Sequence, residues 1–201
     1  MNKKTKLVSS LAAAGLVSIM AAPLAQAVVI DYNGAGGDVP PAGSLGIFTS
    51  DIVVADNLWI NDVSITLTDF SHTWVGDILA TLESDDGTTI ELFGTPGVLG
   101  PNNDVSGTYT FADTGVAGFV SAGNPIPSGT YAPDESFSAF GGLSSLGTWT
   151  LTLNDQYGGD SGAVRSWTLS IDGDYHVPEP GTLALLGLGL AGLGFARRKK
   201  A

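Results

Sequence analysis

Residues 72–93, HTWVGDILATLESDDGTTIELF, leave the chain few ways to fold. Ile78, Ala80 and Leu82 alternate with Leu79, Thr81 and Glu83, the period of a strand with one drier and one wetter face. Ser84 to Gly87 then reads as a turn, since Asp bonds its own backbone and Gly supplies positive φ. Thr88 to Phe93 returns as a second β-rich run. The stretch is a hairpin entered through a polar corner, His72 to Asp77.

Further strands follow the same period. Ile47 to Val54 is one, and Leu58 to Phe70 a longer one with Trp59, Val63, Ile65 and Leu67 mostly on one parity. Ser106 to Ala112 alternates Tyr109 and Phe111 with polar residues. Gly147 to Asn154 places Trp149, Leu151 and Leu153 inward against Thr148, Thr150 and Thr152 outward. Val164 to Asp172 closes the series, with Trp167, Leu169 and Ile171 on one parity. Residues 28–46, rich in Gly, Pro and Asp, read as an irregular lead-in, and 94–105 as a loop. Residues 115–138, broken by Gly123, Pro125, Pro127, Gly129 and Pro133, predict an excursion with at most short strands. No helical spacing runs through this body, so the fold class is all-β and the architecture a sandwich. Pattern alone leaves a jelly roll and an immunoglobulin-like order both open.

The two ends differ from the body. Lys3, Lys4 and Lys6 precede an apolar run from Leu7 to Leu24, and Ala25-Gln26-Ala27 fits a small-x-small cleavage site, so residues 1–27 read as a secretory signal peptide cut after Ala27. At the other end Val177-Pro178-Glu179-Pro180 is stiff and extended, because each Pro fixes its own φ and restricts its predecessor. Gly181 to Ala196 is apolar and rich in Leu and Gly, and Arg197, Arg198, Lys199 and Lys200 follow. As a helix that segment spans roughly 24 Å, marginal against a hydrocarbon core of about 30 Å. Basic residues stay cytoplasmic, so both segments place the body outside the cytoplasm.

Charge is divided just as sharply. The chain carries a formal −12, yet residues 28–176 hold 19 acids and the single base Arg165, a body of −18. Such a surface repels nucleic acid and anionic membranes and suits solubility. There is no Cys, hence no disulfide framework and no thiol chemistry.

The body resembles the P, or Homo B, domain of proprotein convertases. The shared pattern is His72, Thr73, Gly76, Asp77, Ile78, Gly87 and Thr88, followed in order by Phe111-Ala112-Asp113, Gly129-Thr130-Tyr131-Ala132-Pro133, Phe137-Ser138-Ala139-Phe140-Gly141, Gly147-Thr148-Trp149-Thr150-Leu151, Asp155, Gly162 and Trp167-Thr168-Leu169. The resemblance covers about residues 45–172 and implies a jelly-roll β-sandwich of about eight strands. In convertases this module accompanies a separate subtilisin-like domain, for which residues 28–176 have no room, so protease activity is not expected. The C-terminal arrangement, residues 177–201, resembles the PEP-CTERM sorting signal of exopolysaccharide-producing bacteria. That resemblance implies a hydrophobic transmembrane segment, 181–196, and recognition by an exosortase, a membrane transpeptidase that removes the tail.

Candidate chemistry is sparse. His72, with Ser71 beside it and Asp69 nearby, does not make a triad, because neighbours on a strand point to opposite faces. A structural corner of His72, Gly76 and Asp77 is the expectation, with His72 bonding backbone or Asp77. Trp149 and Trp167 read as core, Trp59 as ambiguous, and Trp74 with Tyr157 as the candidate exposed platform for a sugar. Asp77, Asp104, Asp113 and Asp155 lie at strand ends or turns and are candidate ligands for a structural calcium ion if the fold gathers them; no cofactor is otherwise required. The expected function is that of an exported, non-catalytic β-sandwich of the cell envelope or extracellular matrix, handled by the bacterial secretion machinery and an exosortase-type enzyme. The alternative is a carbohydrate-binding module acting on exopolysaccharide.

Overall fold

The computed structural model describes residues 27–40, 45–175 and 186–190. Nine strands fill the body: β1 (Ala27–Val39), β2 (Gly46–Val54), β3 (Leu58–His72), β4 (Ile78–Glu83), β5 (Thr89–Phe93), β6 (Val105–Val116), β7 (Gly129–Tyr131), β8 (Gly147–Asp155) and β9 (Gly162–Tyr175). They form a five-stranded sheet in the order β1-β9-β3-β6-β7 and a four-stranded sheet in the order β2-β8-β4-β5. Every ladder is antiparallel except β6 with β7. With β7 set aside as a three-residue parallel addition at the edge, each sheet alternates early and late strands. Successive strands cross between sheets except at the β4–β5 hairpin, which is the strand order of a jelly roll.

The lead-in expected over residues 28–46 is instead largely strand. β1 pairs with β9 from Ala27 opposite Asp174 to Val39 opposite Gly162. Val28, Ile30 and Tyr32 pack against the core while Val29, Asp31 and Asn33 face out. The glycines that hide this alternation serve close approach: a Cβ on Gly34 would overlap the Trp167 indole, and one on Gly36 the backbone of Val164 and Arg165.

β3 departs from simple alternation twice. Its register against β9 shifts between Ile60 and Asp62, and against β6 between Leu67 and Phe70, where Asp69 takes the left-handed region at φ 48°. The first bulge puts Leu58 and Ile60 inward and turns Trp59 outward, so Trp59 does not share the face of Val63, Ile65 and Leu67. The second lets Phe70 and His72 re-enter the interior.

The core is strongly aromatic. Phe93, Tyr109, Phe111, Phe119 and Tyr131 pack at centroid distances of 4.8–6.4 Å, mostly edge-on or tilted. The excursion after β6 supplies Phe119 from a 3-10 turn at Phe119–Ser121 and Phe137 and Phe140 from another at Phe137–Phe140. The polar tips of two of these buried rings are satisfied: Trp149 Nε1 donates to Ser145 O at 2.9 Å, and Tyr109 OH to Ile126 O at 2.9 Å. Trp167 Nε1 donates to Ser50 Oγ at 2.9 Å, and Ser50 Oγ to Ala35 O at 2.7 Å, so one relay ties β9, β2 and β1 across the sheets.

Residues 186–190 are a helical stretch with Leu186, Leu188 and Leu190 exposed. Among the described residues no helix is long and apolar enough to cross a membrane. The signal peptide up to Gln26, the motif Val177–Pro180 and the remainder of segment 181–196 lie outside the described residues.

Gly34→Ala tests the strand assignment of β1. Overpacking against Trp167 is expected to cost about 1–3 kcal/mol in a denaturant titration. An unchanged midpoint would mean that β1 does not seat on Trp167.

Candidate functional site: a buried histidine-carboxylate corner

The chain passes from one sheet to the other between His72, the last residue of β3, and Ile78, the first of β4. A 3-10 turn at Val75–Asp77 makes the crossing, all three of its residues buried. Backbone bonds anchor it: Val75 N–H donates to Asn103 O at 2.9 Å, Gly100 N–H to Gly76 O at 2.9 Å, and Gln156 N–H to Asp77 O at 3.0 Å. Gly76 is required by closeness, since a Cβ there would strike the backbone of Gly100 and Pro101.

Three ionisable side chains are enclosed here. His72 and Asp155 are 1% exposed and Asp77 is 2% exposed. Trp74 N–H donates to His72 Nδ1 at 3.2 Å, which leaves the ring proton on Nε2, aimed at Asp155 Oδ2 at 3.4 Å. That separation is too long for a strong hydrogen bond, and His72 Nε2, Asp155 Oδ2 and Asp77 Oδ1 all lack a hydrogen-bond partner. Asp155 Oδ1 is engaged, accepting from Tyr157 N–H at 3.0 Å. His72 thus bonds backbone, as expected, but its second nitrogen faces Asp155 from β8 and not Asp77. Burial pushes the Asp77 carboxyl up to about 6, helped by the negative Asp155 and Asp160 and opposed by His72.

The four carboxylates considered for calcium are only partly gathered. Asp77 and Asp155 share the corner. Asp113 instead accepts from Ser136 Oγ at 2.7 Å and Phe137 N–H at 2.9 Å, fixing the 3-10 turn that inserts Phe137. Asp104 accepts through its backbone from Ile126 N–H at 2.8 Å. Among the described residues no group of three or more His, Asp or Glu side chains is arranged to hold a metal ion. Nor does a hydroxyl stand at His72 Nε2 as a nucleophile would.

The proposed sugar platform is occupied by structural bonds. Trp74 Nε1 donates to Gly100 O at 3.1 Å and Tyr157 OH to Gly97 O at 2.9 Å, and both residues are half-buried. They pin loop 94–104 to the corner. The exposed tryptophan is Trp59, which the sequence left ambiguous although it shares the parity of Val63, Ile65 and Leu67; the bulge between Ile60 and Asp62 turns it outward.

The proprotein convertase P-domain family matches residues 60–171, and the PEP-CTERM protein-sorting motif matches residues 176–200. The chain belongs to the P-domain family. P domains are the non-catalytic partners of subtilisin-like proteases. Among solved structures, the chain is similar to the serine protease of Aeromonas sobria, at 16% identity and a TM-score of 0.43, over 76% of this chain and 28% of that one. It is similar to the same enzyme in complex with its chaperone at 17% identity and a TM-score of 0.43, over 77% and 28% of the two chains. The chain therefore spans under a third of the length of the proteases it matches. No relative among curated proteins matches it.

A buried carboxyl with a raised value has a signed consequence. The folded state binds the Asp77 proton more tightly than the unfolded chain, whose value is near 3.8. The stability this group contributes is therefore full below pH 3.8 and is lost as pH rises through about 6. Asp77→Asn keeps the shape without the charge. The variant should gain in melting temperature relative to the wild type as pH rises from about 4 to about 7. A difference that does not change with pH would remove Asp77 from this role.

Proposed function

We propose that this protein is an exported, non-catalytic P-domain sandwich that works at the cell surface or in the extracellular matrix. The observation that carries the reading is the sorting motif at residues 176–200, placed directly after the body. That motif marks an exported precursor handled by exosortase-type machinery. The segment Val177–Pro180 would present a rigid, extended signal at the membrane, and the short apolar run after it would serve as a temporary anchor. The enzyme would then cut close to residues 178–181 and pass the body on. The role of the body itself is structural or adhesive. In support, the buried His72 faces a carboxylate and has no nucleophile, and its surroundings are closed to a substrate.

The same reading fixes the charge of the mature molecule. Loss of both basic ends leaves a body with Arg165 as its one base among 19 acids. Intact-mass analysis of the exported protein from its native cells should give a species beginning near Val28 and ending near Pro178 to Gly181. A species still ending in Arg-Arg-Lys-Lys-Ala would mean a permanent anchor and would overturn the sorting proposal.

A further inference from the structure

β1 begins at the bond where the sequence places the signal cleavage. Ala27, its first residue, lies opposite Asp174 of β9, and Val28 lies opposite Gly173. Opposed residues of an antiparallel pair stand about 5 Å apart. The Ala27–Val28 peptide bond is therefore inside the ladder, on an edge strand beside β9. A peptidase must reach that bond free of a ladder, so hydrolysis comes before β1 closes on β9. In that step water adds across the bond. The acyl carbon of Ala27 takes the oxygen and departs as a carboxylate with the signal segment. The Val28 nitrogen takes both hydrogens and stays on the body as an ammonium.

That ammonium arrives among carboxylates. Asp172 and Asp174 flank Gly173 and face outward, on the same side of the sheet as Ala27 and Val29. Asp62 of β3 stands opposite Asp172 on its other side, and like charges opposed across strands repel. The donors these groups have are neutral. Asp174 accepts from Asn61 Nδ2 at 3.1 Å, Asp62 from Val63 N–H at 2.9 Å, and Asp31, further along β1, from Ser170 Oγ at 2.6 Å. Tyr32 and Tyr175, at the same end, donate to Asp56 at 2.8 and 3.5 Å. Residues 28–176 contain no lysine. Their one base, Arg165, lies nine residues from Asp174 along β9, roughly 30 Å in an extended strand, and is held by Asp69 at 3.0 Å.

We propose that signal cleavage completes the fold: the ammonium it creates on Val28 pairs with Asp174 and fastens the edge strand β1 to β9. The nitrogen lies on the Ala27 side of Val28, hence toward Asp174, whereas Asp172 stands opposite Val29. An uncut chain carries a neutral amide at that place and lacks the pair. This inference rests on the reading of residues 1–27 as a cleaved signal peptide, and it gives the new terminus a role in the body. A half-exposed ion pair adds little to stability, so the amine itself is the sharper readout.

The test uses the exported protein, with its first residue fixed by intact mass. Reductive methylation with a carbon-13 label marks the terminal amine and keeps its charge. Lysines of an untrimmed tail would titrate near about 10.4 and stand apart. An ordinary terminal amine titrates at roughly 7.7–8.0. NMR titration should place the Val28 amine at least about half a pKa unit higher in the folded protein than in urea. Asp174→Asn should remove most of that rise, and Asp51→Asn on the opposite sheet should leave it. A raised amine stabilises fully below about pH 7.7, and its contribution is lost as pH rises through the folded value. The melting-temperature deficit of unlabelled Asp174→Asn should therefore shrink between about pH 7 and about pH 10. An amine that titrates alike folded and unfolded, or that Asp174→Asn does not lower, overturns the proposal. So does a rise that Asp51→Asn lowers equally, which assigns it to the general charge of the body. A first residue other than Val28 refutes the cleavage reading and this pairing with it; a start at Val28 with an unshifted amine refutes the pairing alone.

Discussion

The crossing from β3 to β4 is the constraint on which the rest of the sandwich depends. Within six residues the chain must leave one sheet and enter the other, and the turn Val75–Asp77 that makes the crossing is buried. The solution is to anchor the 3-10 turn by backbone bonds to Asn103, Gly100 and Gln156, which come from two separate loops. His72 and Asp155, one from each sheet, then face each other behind it. Loop 94–104 and the β8–β9 turn are thereby fixed by the same few residues. Breaking one partner of such a group leaves the other buried and unpaired, which is costlier than the contact is worth. The P-domain pattern around His72, Gly76 and Asp77 is therefore intelligible as architecture without reference to catalysis.

Elsewhere the two sheets are joined by shape and by a few directed bonds. The aromatic group around Phe93 and Phe119 fills one part of the interior, and Phe140 packs edge-on against Trp149 at 4.9 Å in another. Large rings bury much area for little lost rotamer freedom, which suits a body whose charge works against compactness. The Trp167–Ser50–Ala35 relay fastens the side where β1 and β2 run close together.

Much of the fold was legible because strands with one wet face advertise their period. β4 and β8 alternate without a break and β5 does so up to Leu92, and their inward residues are Ile78, Ala80, Leu82, Ile90, Leu92, Trp149, Leu151 and Leu153, all buried. β1 was not legible, because its glycines look like loop chemistry until Trp167 is placed beside Gly34. The face of Trp59 was lost for a different reason: a bulge reverses parity, and nothing in Asn61-Asp62 alone announces one. At the corner, His72, Gly76 and Asp77 could be named from sequence, but Asp155 lies 83 positions from His72 along the chain and reaches it only through the pairing of β4 with β8. Trp74 and Tyr157 looked like a platform because turn residues are commonly exposed. Their polar tips instead hold loop 94–104.

The account stands or falls on whether the corner is a closed structural device. Its most specific signature is the tautomer of His72, since the Trp74 N–H can be accepted only by an unprotonated Nδ1. Nitrogen NMR of the imidazole at neutral pH reads this directly. The account predicts a proton on Nε2, an acceptor at Nδ1, and a ring N–H protected from exchange until the whole domain unfolds. A proton on Nδ1, or a ring N–H exchanging freely in the folded protein, would show an open and adaptable histidine and contradict the structural role assigned to it.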